Sequence, residues 1–252
     1  MKRVSVIRAV LNEAKISDAL TSDYWRVRVI NQTTSTQDEL KNELVSNGDC
    51  VVTEFQSAGR GRLDRSFDSV ASVALLFSFY VKPNRRSQLG WLPLISGMSV
   101  ARTINEVTAS HDYLTKWPND VITESGKVAG ILCEYYGEGI IVGIGINVST
   151  TPEELPVATA SSIYITSGIE IDRNVLIALL LKNFQDLFTE WNNGRDFRGA
   201  YRALSKTIGT EVSVILPADQ VIQGMAIDVG ADGELLLESG DRISVGDVVH
   251  LR

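Results

Sequence analysis

A chain of 252 residues with 44% hydrophobic content is long enough for one large domain, or for a main domain with a small appendage, and apolar enough to bury a core. No stretch approaches the roughly 18 consecutive apolar residues of a membrane span, and Met1 to Leu11 carry basic residues without an apolar run or a cleavage pattern, so membrane and secretory classes fit poorly. The formal charge of −7 argues against nucleic acid as the main partner, because a polyanion is held by clustered basic residues.

That charge is unevenly spread. Ile208 to Arg252 holds eight carboxylates against Arg242 and Arg252, a net of −6, while the first 207 residues are nearly neutral. The asymmetry predicts two modules, 1–207 and 208–252. Cys50 and Cys133 sit in apolar, strand-like segments, where buried reduced thiols are expected, and this points to a reducing cytoplasm.

Along the chain, Met1 to Leu20 suits a helix and Tyr24 to Ile30 a strand. Thr36 to Val45 places Leu40 and Leu44 one helical turn apart, with Asn47-Gly48 as the stop. Cys50 to Phe55 reads as a strand, Ser72 to Val81 as a central strand, and Leu92 to Val107 as a buried helix that tolerates Gly97. Tyr113–Trp117, Val121–Thr123, Val128–Tyr136 and Ile140–Val148 are short strands joined by tight turns, which predicts a mainly antiparallel sheet. An amphipathic helix follows Asp172 through Trp191, and Arg195 to Ser205 suits a second. Four strands, Glu211–Leu216, Val221–Asp228, Glu234–Glu238 and Val245–Leu251, make the acidic tail a candidate small β-barrel.

Four segments carry chemistry. Gln56-Ser57-Ala58-Gly59-Arg60-Gly61-Arg62-Leu63-Asp64-Arg65 follows a strand without opening a helix, so neither a P-loop nor a dinucleotide turn fits. Its glycines allow close backbone approach, and Arg60, Arg62 and Arg65 are permanent planar donors for carboxylate or phosphate; a solvated basic turn is the plain alternative. Lys116-Trp117-Pro118-Asn119-Asp120 stands seven residues before Lys127-Val128-Ala129-Gly130, so a hairpin turning at Ser125-Gly126 would bring Asp120 and Lys127 together, either to face a ligand or as a surface salt bridge. The alternating glycines of Gly143-Ile144-Gly145-Ile146-Asn147 leave room for a ring system or for a packed neighbour. Ser35-Thr36-Gln37-Asp38-Glu39 reads as a capping box between Thr36 and Glu39.

Together, from Ser35 to Asn147, these segments resemble the catalytic domain of biotin protein ligases, and the acidic tail resembles that family's C-terminal domain. The resemblance implies an α+β fold: a mixed, mainly antiparallel sheet packed by helices, of the class II synthetase-like biotin/lipoate ligase type, with a small SH3-like β-barrel. It implies a carbon–nitrogen ligase of the short bacterial type without a DNA-binding domain, since the stretch before Tyr24 is too short for a three-helix reader. Biotin and ATP would be substrates, Mg²⁺ the cofactor, and the partner a biotin carboxyl carrier protein domain of acetyl-CoA or a related carboxylase, with no nucleic acid and no membrane. Monomer and homodimer both stay open.

Carried over motif by motif, Ser35, Thr36 and Gln56 would bond the ureido head of biotin. Gly59, Gly130, Gly143 and Gly145 would belong to the biotin site. Arg60 and Lys127, the expected catalytic pair, would meet the biotin carboxylate and the activated phosphate. Arg62, Arg65, Phe67, Asn119, Asp120 and Asn147 would serve the nucleotide, with Asp120 also holding Mg²⁺. The loop departs from its relatives at Leu63-Asp64, where many carry Arg-Gly, and at Phe67, where many carry Trp; Asp64 is positioned in sequence to pair with Arg62 or Arg65, and Phe67 offers less stacking area. A lipoate ligase and a non-catalytic binding module are the rival readings; His111 and His250 are expected to lie away from the motifs.

Overall fold

The computed structural model describes residues 8–62 and 65–251. Leu63 and Asp64 therefore lie outside the described residues, and with them the expected pairing of Asp64. Helix α1 (Glu13–Ala19) is capped by the Asn12 side chain, which accepts from Lys15 N; the expected helix over Met1–Leu20 is confined to these residues within the described chain.

Seven strands form the main sheet: β1 (Arg26–Thr33), β2 (Asp49–Gln56), β3 (Ala74–Val81), β4 (Leu114–Lys116), β5 (Asp120–Thr123), β6 (Gly126–Tyr136) and β7 (Gly139–Asn147). Their order is β1-β2-β3-β7-β6-β5-β4. Every neighbouring pair is antiparallel except β1 and β2, which run parallel because α2 (Thr36–Lys41) supplies a crossover between them. Helix α2 ends at Lys41 with Asn42 as its cap, so Leu44 is fully exposed rather than stacked below Leu40 as expected. The expected capping box also fails: Glu39 takes the Thr33 hydroxyl, and the Thr36 hydroxyl turns to Gln56 and Ser78.

Strand β3 explains its own apolar run. All eight of its residues are buried, and successive side chains face opposite sides of the sheet. Leu75, Phe77, Phe79 and Val81 enter the main core with α3 (Trp91–Thr108) and α5 (Arg173–Asn192). Ala74, Leu76 and Tyr80 face the other way, into two smaller clusters, and Ser78 is the one polar residue of that row. Trp25, Phe79 and Phe184 pack as an aromatic group, Trp25 edge-on to Phe79 and Phe184 tilted against both, with Phe79 and Phe184 at 4.5 Å between centroids. Asp172 caps α5 through Asn174 N, as its sequence position implied.

Helix α4 (Ile163–Ser167), capped by Ser162, is too short to have shown a period in sequence; α6 (Arg198–Leu204) occupies the expected second-helix segment. The C-terminal strands β8 (Glu211–Ile215), β9 (Val221–Val229), β10 (Leu235–Leu237), β11 (Arg242–Ile243) and β12 (Asp247–His250) form a five-stranded antiparallel sheet in the order β11-β10-β9-β8-β12, consistent with an SH3-like module. One buried apolar cluster runs from Trp91 and Tyr201 into Val212, Val214 and Leu235, so the C-terminal sheet shares the main core. Two indoles fasten it further. Trp91 Nε1 donates to Gly230 O and Ala231 O, and Trp117 Nε1 to Gly233 O at 3.0 Å. At Gly90 a Cβ would lie 2.1 Å from Asp232 O, so only glycine allows this approach. No helix among the described residues is long and apolar enough to cross a membrane.

Candidate active site

The register of the sheet lays out the floor of a cavity. Leu76 pairs with Gly145, Gly145 with Gly130, and Gly130 with Asp120, forming one row across β3, β7, β6 and β5. A second row joins Ser78, Gly143 and Leu132. The missing Cβ atoms make a depression. Ser35 and, from α2, Thr36 and Gln37, Gln56 from β2, and Arg60, Arg62, Arg65 and Phe67 from the glycine-arginine loop wall it, together with Lys127 and Asn119.

Lys127 reaches this face because of a bulge. Along β6, Ala129 and Ile131 enter the helix-side core, so Gly130, Leu132 and Glu134 lie on the cavity side of the sheet; strict alternation would put Lys127 in the core row. The register instead shifts between Val121 and Ile122, so Ile122 pairs with Lys127; Val128 enters the core and Lys127 turns to the cavity. Its ammonium lies 2.6 Å from Asp120 Oδ1, the contact anticipated from the hairpin.

The glycines make space for protein side chains as well as for a ligand. A Cβ on Gly130 would lie 3.1 Å from Lys127 Nζ, one on Gly143 3.0 Å from Gln37 Cδ, and one on Gly145 2.7 Å from the Phe67 ring. Phe67 thus sits over Gly145 and packs on Val73, Ala74 and Leu76. The loop itself folds back as a narrow excursion: Phe67 N donates to Gly59 O, Gly61 N to Arg65 O, and Arg60 bridges Ser66. A Cβ on Gly59 would stand 2.4 Å from Phe67 O, which is why a glycine is needed there.

The polar end of the cavity is pre-oriented. Gln56 Oε1 accepts from Thr36 N (2.8 Å) and from Thr36 Oγ1 (3.0 Å), and because a backbone N–H can only donate, the Gln56 amide orientation is fixed. Its NH₂ is the group left to donate to a ligand carbonyl. Thr36 Oγ1 also meets Ser78 Oγ at 2.7 Å, and Gln37 Nε2 donates to Leu132 O at 3.1 Å; Ser78 and Gln37 line the cavity and were not anticipated.

At the opposite end, Asn119 Nδ2 donates to Ile131 O while its Oδ1 accepts from Arg62 Nη1 at 3.1 Å. Arg62 also donates to Gly246 O, and Asp247 of β12 pairs with both Arg62 and Arg65, so a carboxylate of the C-terminal module lines the cavity. Burial pulls the pKa of Arg62 down, against the opposing pull of Asp247 and Asp120. Behind them, burial lowers the pKa of Lys116 more than Asp120 restores it.

Two expected site residues stand apart from this cavity. Gly59 lines the adjoining groove, and Asn147 is buried at the end of β7, where its Nδ2 donates to Ser161 O. His250 corrects an expectation: its Nε2 is 3.2 Å from Thr207 Oγ1, which in turn accepts from Trp117 N, so it backs the Lys116–Asp120 segment, although it does not line the cavity. Cys50 and Cys133 are free thiols, as expected; burial pushes Cys133 up to about 12 and Cys50 up as well, so neither is a thiolate nucleophile near neutral pH. Asp120 and Asp247 are the cavity carboxylates, and no cluster of three or more metal-ligating side chains occurs among the described residues.

This geometry has relatives. The model of the biotin/lipoate A/B protein ligase family matches residues 27–150, and that of the biotin protein ligase C terminal domain matches residues 207–251. A biotin--[acetyl-CoA-carboxylase] ligase of Mycobacterium tuberculosis is 35% identical over 98% of this chain and 98% of its own length. The chain belongs to the biotin protein ligase family. A second biotin protein ligase, from Aquifex aeolicus and solved in complex with biotin and ATP, superposes with a TM-score of 0.79 at 31% identity, covering 90% of this chain and 98% of that one. The bifunctional ligase/repressor BirA of Escherichia coli is 30% identical over 82% of this chain but only 68% of its own length.

Proposed function

We propose that the cavity activates biotin with ATP and passes the biotinyl group to a lysine of a carrier domain, with Lys127 and Arg60 as the groups that meet the reacting carboxylate and phosphate. The observation that carries this reading is the layout of one cavity. A fixed amide donor and two hydroxyls sit at one end, an ammonium and a guanidinium stand in the middle, and two further arginines lie at the other.

The biotin carboxylate attacks the α-phosphorus of ATP, forming biotinyl-adenylate and releasing pyrophosphate. The carrier amine then attacks the mixed anhydride, forming an amide and releasing AMP. Both nucleophiles come from substrates, so the chain's work is positioning and charge stabilisation. Gln56 Nε2, with Ser35 and Thr36, presents donors suited to a ureido ring, and the depression over Gly130, Gly143 and Gly145 receives apolar rings once Phe67 and Gln37 give way. Lys127 offsets charge on the carboxylate and transferring phosphate, while Asp120 keeps its ammonium in place. Arg62, Arg65 and Asn119 face the nucleotide phosphates, and Phe67 the base or the rings. Asn147, which hydrogen-bonds the Ser161 carbonyl, would support the nucleotide side only from behind.

Two carboxylates without a third ligand suit a metal that arrives on the nucleotide: Asp120, helped by Asp247, would hold Mg²⁺ against phosphate oxygens, where it would supply charge neutralisation. The carrier fits the chemistry of a biotin carboxyl carrier protein domain of acetyl-CoA or a related carboxylase, encountered in the cytoplasm, with no nucleic acid partner and with the enzyme as monomer or homodimer.

Purified protein with Mg-ATP and biotin should release pyrophosphate and label a carrier domain. Release supported by lipoate and not by biotin would overturn the substrate assignment. Because Asp247 restrains two loop arginines from the C-terminal module, Asp247→Asn should raise KM for ATP by about two- to fivefold with little change in KM for biotin, measured by steady-state pyrophosphate release. Equal changes in both constants would remove Asp247 from the nucleotide side.

A further inference from the structure

We propose that Asp38 and Glu134 are positioning residues for Arg60, an inference that rests on the functional reading above. The Arg60 guanidinium forks onto the Glu134 carboxylate, with Nη1 to Oε1 at 3.2 Å and Nη2 to Oε2 at 2.9 Å, and Nη2 also donates to Asp38 Oδ1 at 2.9 Å. Lys41 Nζ shares the same Glu134 carboxylate at 2.9 Å. Two acids and two bases thus form a neutral cluster that ties the glycine-arginine loop to α2 and β6.

Those are the elements that carry Thr36 and Gln37 on one side and Lys127 and Gly130 on the other. Glu134 lies on β6 beyond Leu132 and Asp38 in the first turn of α2, and neither lines the cavity that Arg60 lines, so both approach Arg60 from outside the ligand space. A guanidinium has five N–H donors, and the two carboxylates take three. Nε and one Nη1 hydrogen are left over for a ligand anion, so Arg60 can meet a carboxylate or phosphate without leaving the clamp.

The cluster is partly exposed, and such pairs add little to fold stability. Its effect is on binding. Arginine has several rotatable bonds, and ordering a rotamer-rich side chain during binding costs affinity; a side chain held beforehand avoids that cost. Glu134, shared with Lys41, is itself fixed from a second direction.

The test compares the full-length wild type, Asp38→Asn/Glu134→Gln, Arg60→Ala and the triple variant. Pyrophosphate release is measured against biotin concentration, and adenylate escape by trapping released intermediate. The double variant should raise KM for biotin about five- to tenfold, with kcat within about twofold and adenylate escape faster by a similar factor. Its melting temperature should match the wild type, and the two substitutions should add nothing in the Arg60→Ala background. Unchanged constants would reduce the cluster to a surface network, and a lower KM would make the carboxylates competitors of the ligand. An equal effect without Arg60 would show that they act elsewhere. Each of these results overturns the proposal. A wild-type protein that released no pyrophosphate with biotin would instead sink the functional reading. Should the double variant fail to fold, Asp38→Asn and Glu134→Gln singly carry the same comparison.

Discussion

Lys127→Ala is expected to lower the rate of biotinyl-adenylate formation by about 10²–10³-fold while circular dichroism and melting temperature stay close to wild type. The size of the effect follows from position. Lys127 is the ammonium that the β6 bulge turns onto the cavity floor, and its Asp120 partner is a carboxylate that would be left facing incoming phosphate without a counter-charge. The substitution therefore removes an attraction and uncovers a repulsion. Single-turnover pyrophosphate release at saturating ATP measures the chemical step. A loss of less than about fivefold would take Lys127 out of the reaction.

Arg173→Ala is expected to cost about 3–5 kcal/mol of folding stability. Arg173 is 3% exposed and Glu54 5%, and they form an ion pair at 2.7 Å. Arg173 also donates to Ala74 O and Ala9 O, while Glu54 Oε1 accepts from Leu11 N. One buried pair thus joins the N-terminal segment, β2, β3 and the start of α5. A cation at a helix N-terminus opposes the helix dipole, so Arg173 is there for Glu54 and the carbonyls rather than for α5. Its removal leaves a buried carboxylate without a counter-charge. Chemical denaturation measures the loss, and Arg173→Met with Glu54→Gln should recover part of it. A cost below about 1 kcal/mol for Arg173→Ala would show that water or a rearranged partner reaches Glu54.

Local chemistry in the sequence pointed to most of the cavity because strand periodicity converts spacing into facing. Gly143 and Gly145 are two apart, hence on one face, and the hairpin after Asp120 brings Lys127 back beside it. Ser78 carried a local signal: a small aliphatic hydroxyl inside an apolar and aromatic strand has to bond something, and it bonds Thr36. Asp247 and Glu134 carried no such signal. Their partners Arg65 and Arg60 are remote in sequence, and nothing local distinguishes those carboxylates from solvated ones. The Thr36–Glu39 capping box failed for a related reason, since two long-range partners for the Thr36 hydroxyl outweighed a local one. Asn147 shows the converse: it closes a glycine motif, yet the end of β7 turns its amide to Ser161.

The bulge beside Val128 has a consequence for how this enzyme can vary. Side-chain identity at 127 is only half of what places the ammonium; the other half is the bulge, because at this spacing from Gly130 a regular strand would send the same lysine toward the apolar core. Substitutions that leave the bulge in place are therefore graded in their effect, whereas a regular pairing at unchanged length is a reversal. A comparison of related chains that scored only residue identity here would miss the inheritance of the bulge.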